Sequence, residues 1–106
     1  MVWFTIIFYY PRLIDIAGNI TSVHPNSGPV AGGTRVTITG SGLGYLNDIT
    51  QVLIVGNPAT IISQDEHTVV VVTAASSANG TGNVEVQSAA LQSTVASEAF
   101  TYNPGM

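Results

Sequence analysis

The segment that most constrains the fold is residues 26–44, NSGPVAGGTRVTITGSGLG, where a short alternating stretch lies between two glycine-rich turns. Val36 and Ile38 alternate with polar residues, which is the period-two pattern of a β-strand with one buried face. The glycines on both sides allow sharp reversals of the backbone, because glycine tolerates positive φ. The sequence therefore predicts a strand bounded by tight turns, as in an all-β domain.

Further strands are predicted along the rest of the chain, separated by turn signals at the spacing of a β-sandwich. The continuous β-branched run TVVVVT at residues 68–73 is typical of a strand inside a sheet, and we expect it to share the core with Val36 and Ile38. The other predicted strands are residues 20–24, 52–55 and 59–63, the stretch around Val84 and Val86, and residues 91–96 continuing to Phe100 and Tyr102. Loops are predicted at residues 45–50 and 74–82, with turns at Asn57 and Pro58 and at residues 64–67.

Residues 24–44, HPNSGPVAGGTRVTITGSGLG, resemble the opening of the IPT/TIG domain, a family found in plexins, transcription factors and bacterial surface proteins. The resemblance continues through VLIVGNPATII, GNVEVQS and AFTY and covers about residues 20–102. Leu43 stands where the family usually has Phe, and Thr73 and Ala74 stand where it often has Pro. The resemblance implies an immunoglobulin-like antiparallel β-sandwich over residues 19–106, preceded by an extra apolar strand and connector in residues 1–18.

The charge of the chain argues against one role of that family. Six acidic residues face only two basic ones, Arg12 and Arg35, and the formal net charge is −4. Binding to DNA depends on Lys and Arg contacts with phosphates, so no nucleic-acid partner is expected. The 106 residues, 45% of them hydrophobic, suit one small domain, and the absence of Cys excludes disulfides, thiolate metal sites and a Cys nucleophile. An uncharged surface rich in Ser and Thr is typical of extracellular and cell-surface proteins.

Residues 1–10, MVWFTIIFYY, would be apolar on both faces of a strand. The run is too short to cross a membrane, which takes about 20 apolar residues, and no basic residue precedes it as in a signal peptide. An uncharged segment of this kind aggregates unless something covers it. The side chains expected to make that contact are Val2, Trp3, Phe4, Ile6, Ile7, Phe8, Tyr9 and Tyr10.

Three interpretations of residues 1–10 remain open. The segment is the last strand of a preceding domain, since FYYP resembles the terminal AFTYNP; or it folds back as an edge strand on its own sandwich; or it inserts into a neighbouring copy. Pro11 and Gly18 would act as the hinge that directs it outward.

Few residues carry chemistry that suggests catalysis or metal binding. His24 is expected to end a strand, Asp48 to be a solvated loop carboxylate, and Asp65, Glu66 and His67 to form a solvated turn. No nucleophile accompanies that turn and no Ca²⁺-binding pattern surrounds Asp48. The chain is therefore expected not to be an enzyme and to need no metal or cofactor.

Two N-glycosylation sequons begin at Asn19 and Asn79. A chain with this content of Asn, Ser and Thr contains roughly one or two sequons by chance. Both are retained as candidate glycan sites.

The main functional hypothesis is a structural subunit, extracellular or on the cell surface, that polymerises head to tail by inserting residues 1–10 into the next copy. The insertion would follow a groove between the sheets or an open edge. The alternative is an accessory module of a larger cell-surface protein or enzyme, in which aromatic residues stack on carbohydrate. The aromatic residues considered for this role are Trp3, Tyr9, Tyr10 and Tyr45.

Overall fold

The computed structural model describes residues 18–44, 48–89 and 93–104. As the sequence predicts, their regular structure is entirely β-strand. The strands are β1 (Asn19–His24), β2 (Ser27–Pro29), β3 (Arg35–Ser41), β4 (Ile49–Ile54), β5 (Asn57–Gln64), β6 (Thr68–Val72), β7 (Gly80–Ser88) and β8 (Thr94–Asn103). These residues contain no helix that is long and apolar enough to cross a membrane.

The strands are hydrogen-bonded in the order β1-β3-β6-β5-β4-β7-β8-β2. They form two sheets, and β5 passes from one sheet to the other. The beginning of β5 pairs with β4, whereas Thr60 and the residues after it pair with β6. One sheet therefore holds β1, β3 and β6, and the other holds β4, β7, β8 and β2. Every pair is antiparallel except β2 with β8, which is parallel. This is the β-sandwich that the sequence predicts, with one parallel pair at its edge.

The core lies between the two sheets, and residues 26–44 supply part of it. Val36 and Ile38 of β3 are fully buried, as are Val69 and Val71 of β6, so the prediction that these strands share the core is confirmed. The two strands also pair directly, with Val36 opposite Val71 and Ile38 opposite Val69. Leu43, two residues after the end of β3, is also fully buried and belongs to the core. The buried apolar cluster comprises Val36, Ile38, Leu43, Ile49, Val52, Ile54, Val69, Val71, Val84, Val86, Phe100 and Tyr102.

The connection between β4 and β5 differs from the prediction. Asn57 and Pro58 lie in β5, opposite Ile54 and Leu53, so the turn predicted there is wrong. The reversal is made by Val55 and Gly56, which have φ values of 52° and 81°. Two successive residues with positive φ make the two-residue hairpin turn that matches strand twist, and the Asn57 side chain supports it by donating hydrogen bonds to the carbonyls of Ile54 and Val55. The loop predicted at residues 45–50 is also too long, because β4 already begins at Ile49.

The side chain of Gln64 supplies backbone hydrogen bonds for β4 beyond the point where β5 stops pairing with it. Its Oε1 accepts the N–H of Ile49 at 2.9 Å, and its Nε2 donates to the carbonyl oxygen of Ile49 at 3.2 Å. The amide group thus takes the place of a peptide unit beside a buried residue. Gln64 belongs to β5 and is not part of the solvated turn that was predicted for residues 64–67.

Replacing Gln64 with Ala should lower the free energy of unfolding by about 1–3 kcal/mol, because the N–H and C=O of buried Ile49 both lose their partner. Urea unfolding measures the difference. Gln87→Ala is the matched control, since the Gln87 side chain donates a 3.3 Å hydrogen bond to the side chain of Glu85 and its loss should cost less than about 0.5 kcal/mol. Equal unfolding midpoints for the two variants would contradict this role for Gln64.

Tyr102 closes the core at the end of β8, as the sequence predicts. Its ring packs edge-to-face against Phe100 with a centroid separation of 5.3 Å, and its hydroxyl donates a 2.7 Å hydrogen bond to the carbonyl oxygen of Ala74. Burial raises the pKa of the Tyr102 hydroxyl, partly opposed by hydrogen bonds with the side chains of Asn57 and Thr73. The folded protein therefore favours the neutral phenol.

This raised pKa predicts a loss of stability at alkaline pH. Below the unfolded-state pKa, about 10 for Tyr, the hydroxyl is neutral in both states and its contribution is complete. As the pH rises from there through the folded-state pKa, the unfolded chain ionises first, so the free energy of unfolding falls. Thermal unfolding of the protein and of Tyr102→Phe between about pH 8 and pH 11 tests this: the fall should be shallower in the variant, and parallel curves would refute it.

Candidate functional site

The acidic turn between β5 and β6 is structural. The Asp65 carboxylate accepts the backbone N–H groups of His67 and Thr68, both at 2.7 Å, and these bonds hold its pKa below the ordinary value. Glu66 and His67 are exposed. The solvated turn predicted for these residues is confirmed, and the Asp65 carboxylate serves to hold the backbone of the turn.

Asp48 has a different environment from the one expected. It is half-buried and its Oδ1 accepts a 2.8 Å hydrogen bond from the Ser88 hydroxyl, while its carbonyl oxygen accepts the N–H of Ala89 at 3.0 Å. The prediction of a solvated carboxylate is therefore wrong: Asp48 ties the start of β4 to the end of β7.

His24 is exposed at the end of β1, as predicted. Within residues 18–44, 48–89 and 93–104, no group of three or more His, Cys, Asp or Glu could hold a metal ion.

The two sequon asparagines both lie on the surface. Asn19 is the first residue of β1, and Asn79 lies in the loop before β7; both are exposed. The sequon hydroxyls form hydrogen bonds, Thr21 with the carbonyl oxygen of Thr39 and Thr81 with the Thr101 hydroxyl. Glycosylation at either asparagine stays a prediction.

The apolar side chains of residues 1–10 lie outside the described residues, and so does Tyr45. The assembly role of the former and the sugar-stacking role of the aromatic side chains among them stay predictions. The residues concerned are Val2, Trp3, Phe4, Ile6, Ile7, Phe8, Tyr9, Tyr10 and Tyr45.

A groove of about 220 Å³ lies between β1 and β8, where the edges of the two sheets meet. We call it the edge groove; its lining residues are Ile20, Thr21, Ser22, Val23, Asn26, Ala96 and Ala99. None of them is charged. Sequence reasoning missed this feature because it arises from two strands that are more than 70 residues apart in the chain.

Both strands that flank the edge groove have irregular edges. β1 shifts register against β3 between Ile20 and Ser22, and β8 shifts against β7 near Glu98, which has a φ of 49°. In the described structure, β2 pairs with β8 only from Thr101 onward. The part of β8 that faces the groove thus has no strand paired on that side within the described residues.

A second concavity, of about 400 Å³, lies on the outer face of the sheet that holds β4, β7 and β8. Asn83 organises its rim: its carbonyl oxygen accepts the N–H of Val55 at 2.8 Å, and its side-chain oxygen accepts the N–H of Glu98 at 3.0 Å. The lining is Leu53, Val55, Gly56, Thr81, Gly82, Asn83, Glu85 and Glu98. It combines two carboxylates with an apolar floor and contains neither an aromatic side chain nor a nucleophile beside a base.

The chain enters and leaves the sandwich at opposite ends of β8. At the start of β8, the Thr94 hydroxyl accepts the N–H of Gly18 at 3.1 Å. At its end, the carbonyl oxygen of Asn103 accepts the N–H of Val30 at 3.0 Å. Since a ten-residue strand rises about 3.3 Å per residue, or roughly 30 Å in all, the two ends lie on opposite sides of the sandwich.

Comparison with known families agrees with the fold. The family model described as the IPT/TIG domain matches residues 19–102. Among curated protein sequences, none matches the chain significantly.

Solved structures similar to this chain include parts of much larger proteins. The full extracellular region of plexin A4 (domains 1 to 8) is 25% identical, with a TM-score of 0.72 over 81% of this chain and 10% of that chain. An auxiliary nutrient binding protein from Bacteroides ovatus is 25% identical, with a TM-score of 0.67 over 90% of this chain and 22% of that chain. A candidate phosphatase from Bacteroides thetaiotaomicron is 20% identical, with a TM-score of 0.68 over 90% of this chain and 19% of that chain, and shows the shared fold alone. The chain thus spans between a tenth and about a fifth of these proteins.

Proposed function

Since the chain belongs to the IPT/TIG domain family, we propose that it is a non-catalytic structural module that joins its neighbours in line within an extracellular or cell-surface assembly. The observation that carries this proposal is the path of the chain, which meets opposite ends of β8 at Gly18 and Asn103. A module connected at opposite ends extends an assembly along one direction. The similarity to the extracellular region of plexin A4 supports an extracellular or cell-surface location for this chain.

The neighbour in line is a second copy of this chain, held head to tail by residues 1–10. Support comes from the sequence of that segment, which is apolar at nearly every position and carries no charge. A head-to-tail contact uses two different surfaces of each copy, so it forms an open filament unless the rotation between copies closes a ring.

Neither catalysis nor nucleic-acid binding forms part of this function. The acidic residues Asp65 and Glu66 lie in an exposed turn, where the Asp65 carboxylate is bonded to backbone N–H groups. The two Lys or Arg residues of the chain are Arg12 and Arg35, and two cations release too few counterions from a phosphate backbone to support binding. No cofactor or metal is required.

A second candidate function is an accessory module within a longer polypeptide, including one that contacts carbohydrate. The structural similarity to the nutrient binding protein of Bacteroides ovatus, at 25% identity, favours it. The outer-face concavity lacks the aromatic side chains on which sugars usually stack. Contact with carbohydrate would therefore depend on Trp3, Tyr9, Tyr10 or Tyr45.

One experiment separates the two candidates. Intact cells of the source organism are treated with protease, and the released and retained material is probed in denaturing gels with an antibody against this chain. If the protein lies on the surface, protease removes its signal from intact cells. The size is read from untreated cells: a non-covalent polymer dissociates in the gel to the 11.0 kDa chain, whereas an accessory module migrates as part of a much larger polypeptide. A protease-resistant signal on intact cells that is lost after lysis would overturn the surface location.

A further inference from the structure

We propose that the edge groove of one copy receives apolar side chains from residues 1–10 of a second copy. This inference rests on the proposed self-association and specifies where it occurs. It also specifies how the segment binds. Side chains enter the groove, and the backbone of residues 1–10 does not become a strand of the acceptor sheet.

The chemistry of the groove matches that of the segment. Ile20, Val23, Ala96 and Ala99 are half-buried apolar residues of the groove, and its polar members are uncharged. Residues 1–10 likewise carry no charge, so burying one against the other leaves no ion without water or a partner. The outer-face concavity, by contrast, contains Glu85 and Glu98, which would lose hydration under an apolar segment.

The geometry of the groove favours side chains over a strand. Its volume of about 220 Å³ compares with about 150 Å³ for an apolar cavity that holds one benzene molecule, so it suits one or two large side chains and not a ten-residue strand. The acceptor also has its own first strand, β1, along one wall. Irregularities between Ile20 and Ser22 and near Glu98 interrupt the flanking edges, and bulges of this kind prevent regular strand addition.

The connector is long enough to reach a second copy. Residues 11–17 separate the apolar segment from Gly18, which is hydrogen-bonded to Thr94, and seven residues span at most about 25 Å. This is most of the length of a sandwich about 30 Å long. The segment of one copy therefore reaches into a copy placed in line at the start of β1.

Disulfide cross-linking tests this contact cleanly, because the chain contains no Cys. Acceptor chains carry Ala99→Cys or, as a second groove position, Ala96→Cys. Donor chains carry Cys in place of one apolar side chain of the segment. The donor positions tested singly are Trp3, Phe4, Ile6, Ile7 and Phe8. A donor that carries a mass tag and an untagged acceptor are mixed, oxidised and separated in non-reducing gels. The heterodimer then differs in mass from either homodimer, and it joins two copies.

Val95→Cys is the matched control, because Val95 lies on the same strand, is 49% exposed and does not line the groove. At least one donor position should give about ten times more reducible heterodimer with a groove cysteine than with the control cysteine, as expected when a specific contact aligns the thiols. Equal yields at groove and control positions, or no heterodimer at any position, would overturn the proposal. So would a chain with both cysteines that forms only an intramolecular link.

Sedimentation of the unmodified chain separates this inference from the function on which it rests. If the chain assembles but no cross-links form at Ala96 or Ala99, the groove proposal is wrong and the proposed self-association stands. A chain that stays monomeric at the concentrations used for cross-linking would remove the self-association itself, and the groove proposal with it.

Discussion

Replacing Phe100 with Ala is expected to remove a large part of the stability of the sandwich. Phe100 is fully buried and packs against Tyr102 with a centroid distance of 5.3 Å. A buried Phe replaced by Ala loses its transfer free energy and leaves a cavity, at a cost of about 3–5 kcal/mol. Since domains of this size are stable by about 5–15 kcal/mol, the variant should unfold at much lower urea concentration.

The control for Phe100→Ala is Val95→Ala on the same strand. Val95 is 49% exposed, so its truncation should change the free energy of unfolding by less than about 0.5 kcal/mol. Urea denaturation followed by circular dichroism measures both variants. Similar midpoints for the two would mean that the core described between the sheets does not carry the stability of the protein.

The sequence predicts best where side-chain periodicity and burial agree. Val36 and Ile38 alternate with polar residues because one face of β3 packs on the core, and the continuous valines of β6 pair directly with them. Phe100 and Tyr102, two positions apart, likewise point to one face and are both buried. Such patterns reflect local geometry that every strand of a sandwich must satisfy, so they can be recognised without a structure.

The errors occur where tertiary contacts override local preference. Asn57 and Pro58 have the composition of a turn, but the reversal uses Val55, a β-branched residue that rarely takes positive φ. Two contacts with β7 accompany this conformation: the Val55 N–H donates to the carbonyl oxygen of Asn83 at 2.8 Å, and the Val55 side chain lies so close to Gly82 that a Cβ there would be 2.7 Å from Val55 Cγ1. Gln64 gave no signal either, because its peptide-like contact with Ile49 exists only once β5 changes sheets.

The candidate site could be predicted only in part for the same reason. The apolar composition of residues 1–10 indicated an association segment, whereas its proposed acceptor is formed by side chains from β1 and β8. Ile20 and Ala99 line the same groove only because β1 lies near β8 in the folded chain. A contact of this sequence separation leaves no periodic pattern.

Removal of residues 1–10 is expected to convert the assembled protein into folded monomers. Each large apolar side chain that the contact buries contributes about 1.5–3 kcal/mol before the costs of ordering. Without residues 1–10 the proposed contact loses this contribution entirely, and the cost of association is no longer offset. Light scattering of the full chain and of residues 11–106 measures the change in mass, and electron microscopy shows whether filaments are lost.

The controls must distinguish a specific contact from general adhesion of apolar surface. Ile62 and Val95 are 47% and 49% exposed, so the double variant Ile62→Thr, Val95→Thr removes exposed apolar groups of the sandwich while keeping residues 1–10. It should assemble as the full chain does, whereas Phe4→Asp with Phe8→Asp should not, because two charges would be buried in an apolar contact. A peptide of residues 1–10 added to the truncated chain should raise its unfolding temperature without restoring filaments, since the peptide offers no second surface for the next copy. Assembly that survives the truncation, or a full chain that remains monomeric at high concentration, would rule out head-to-tail association through this segment.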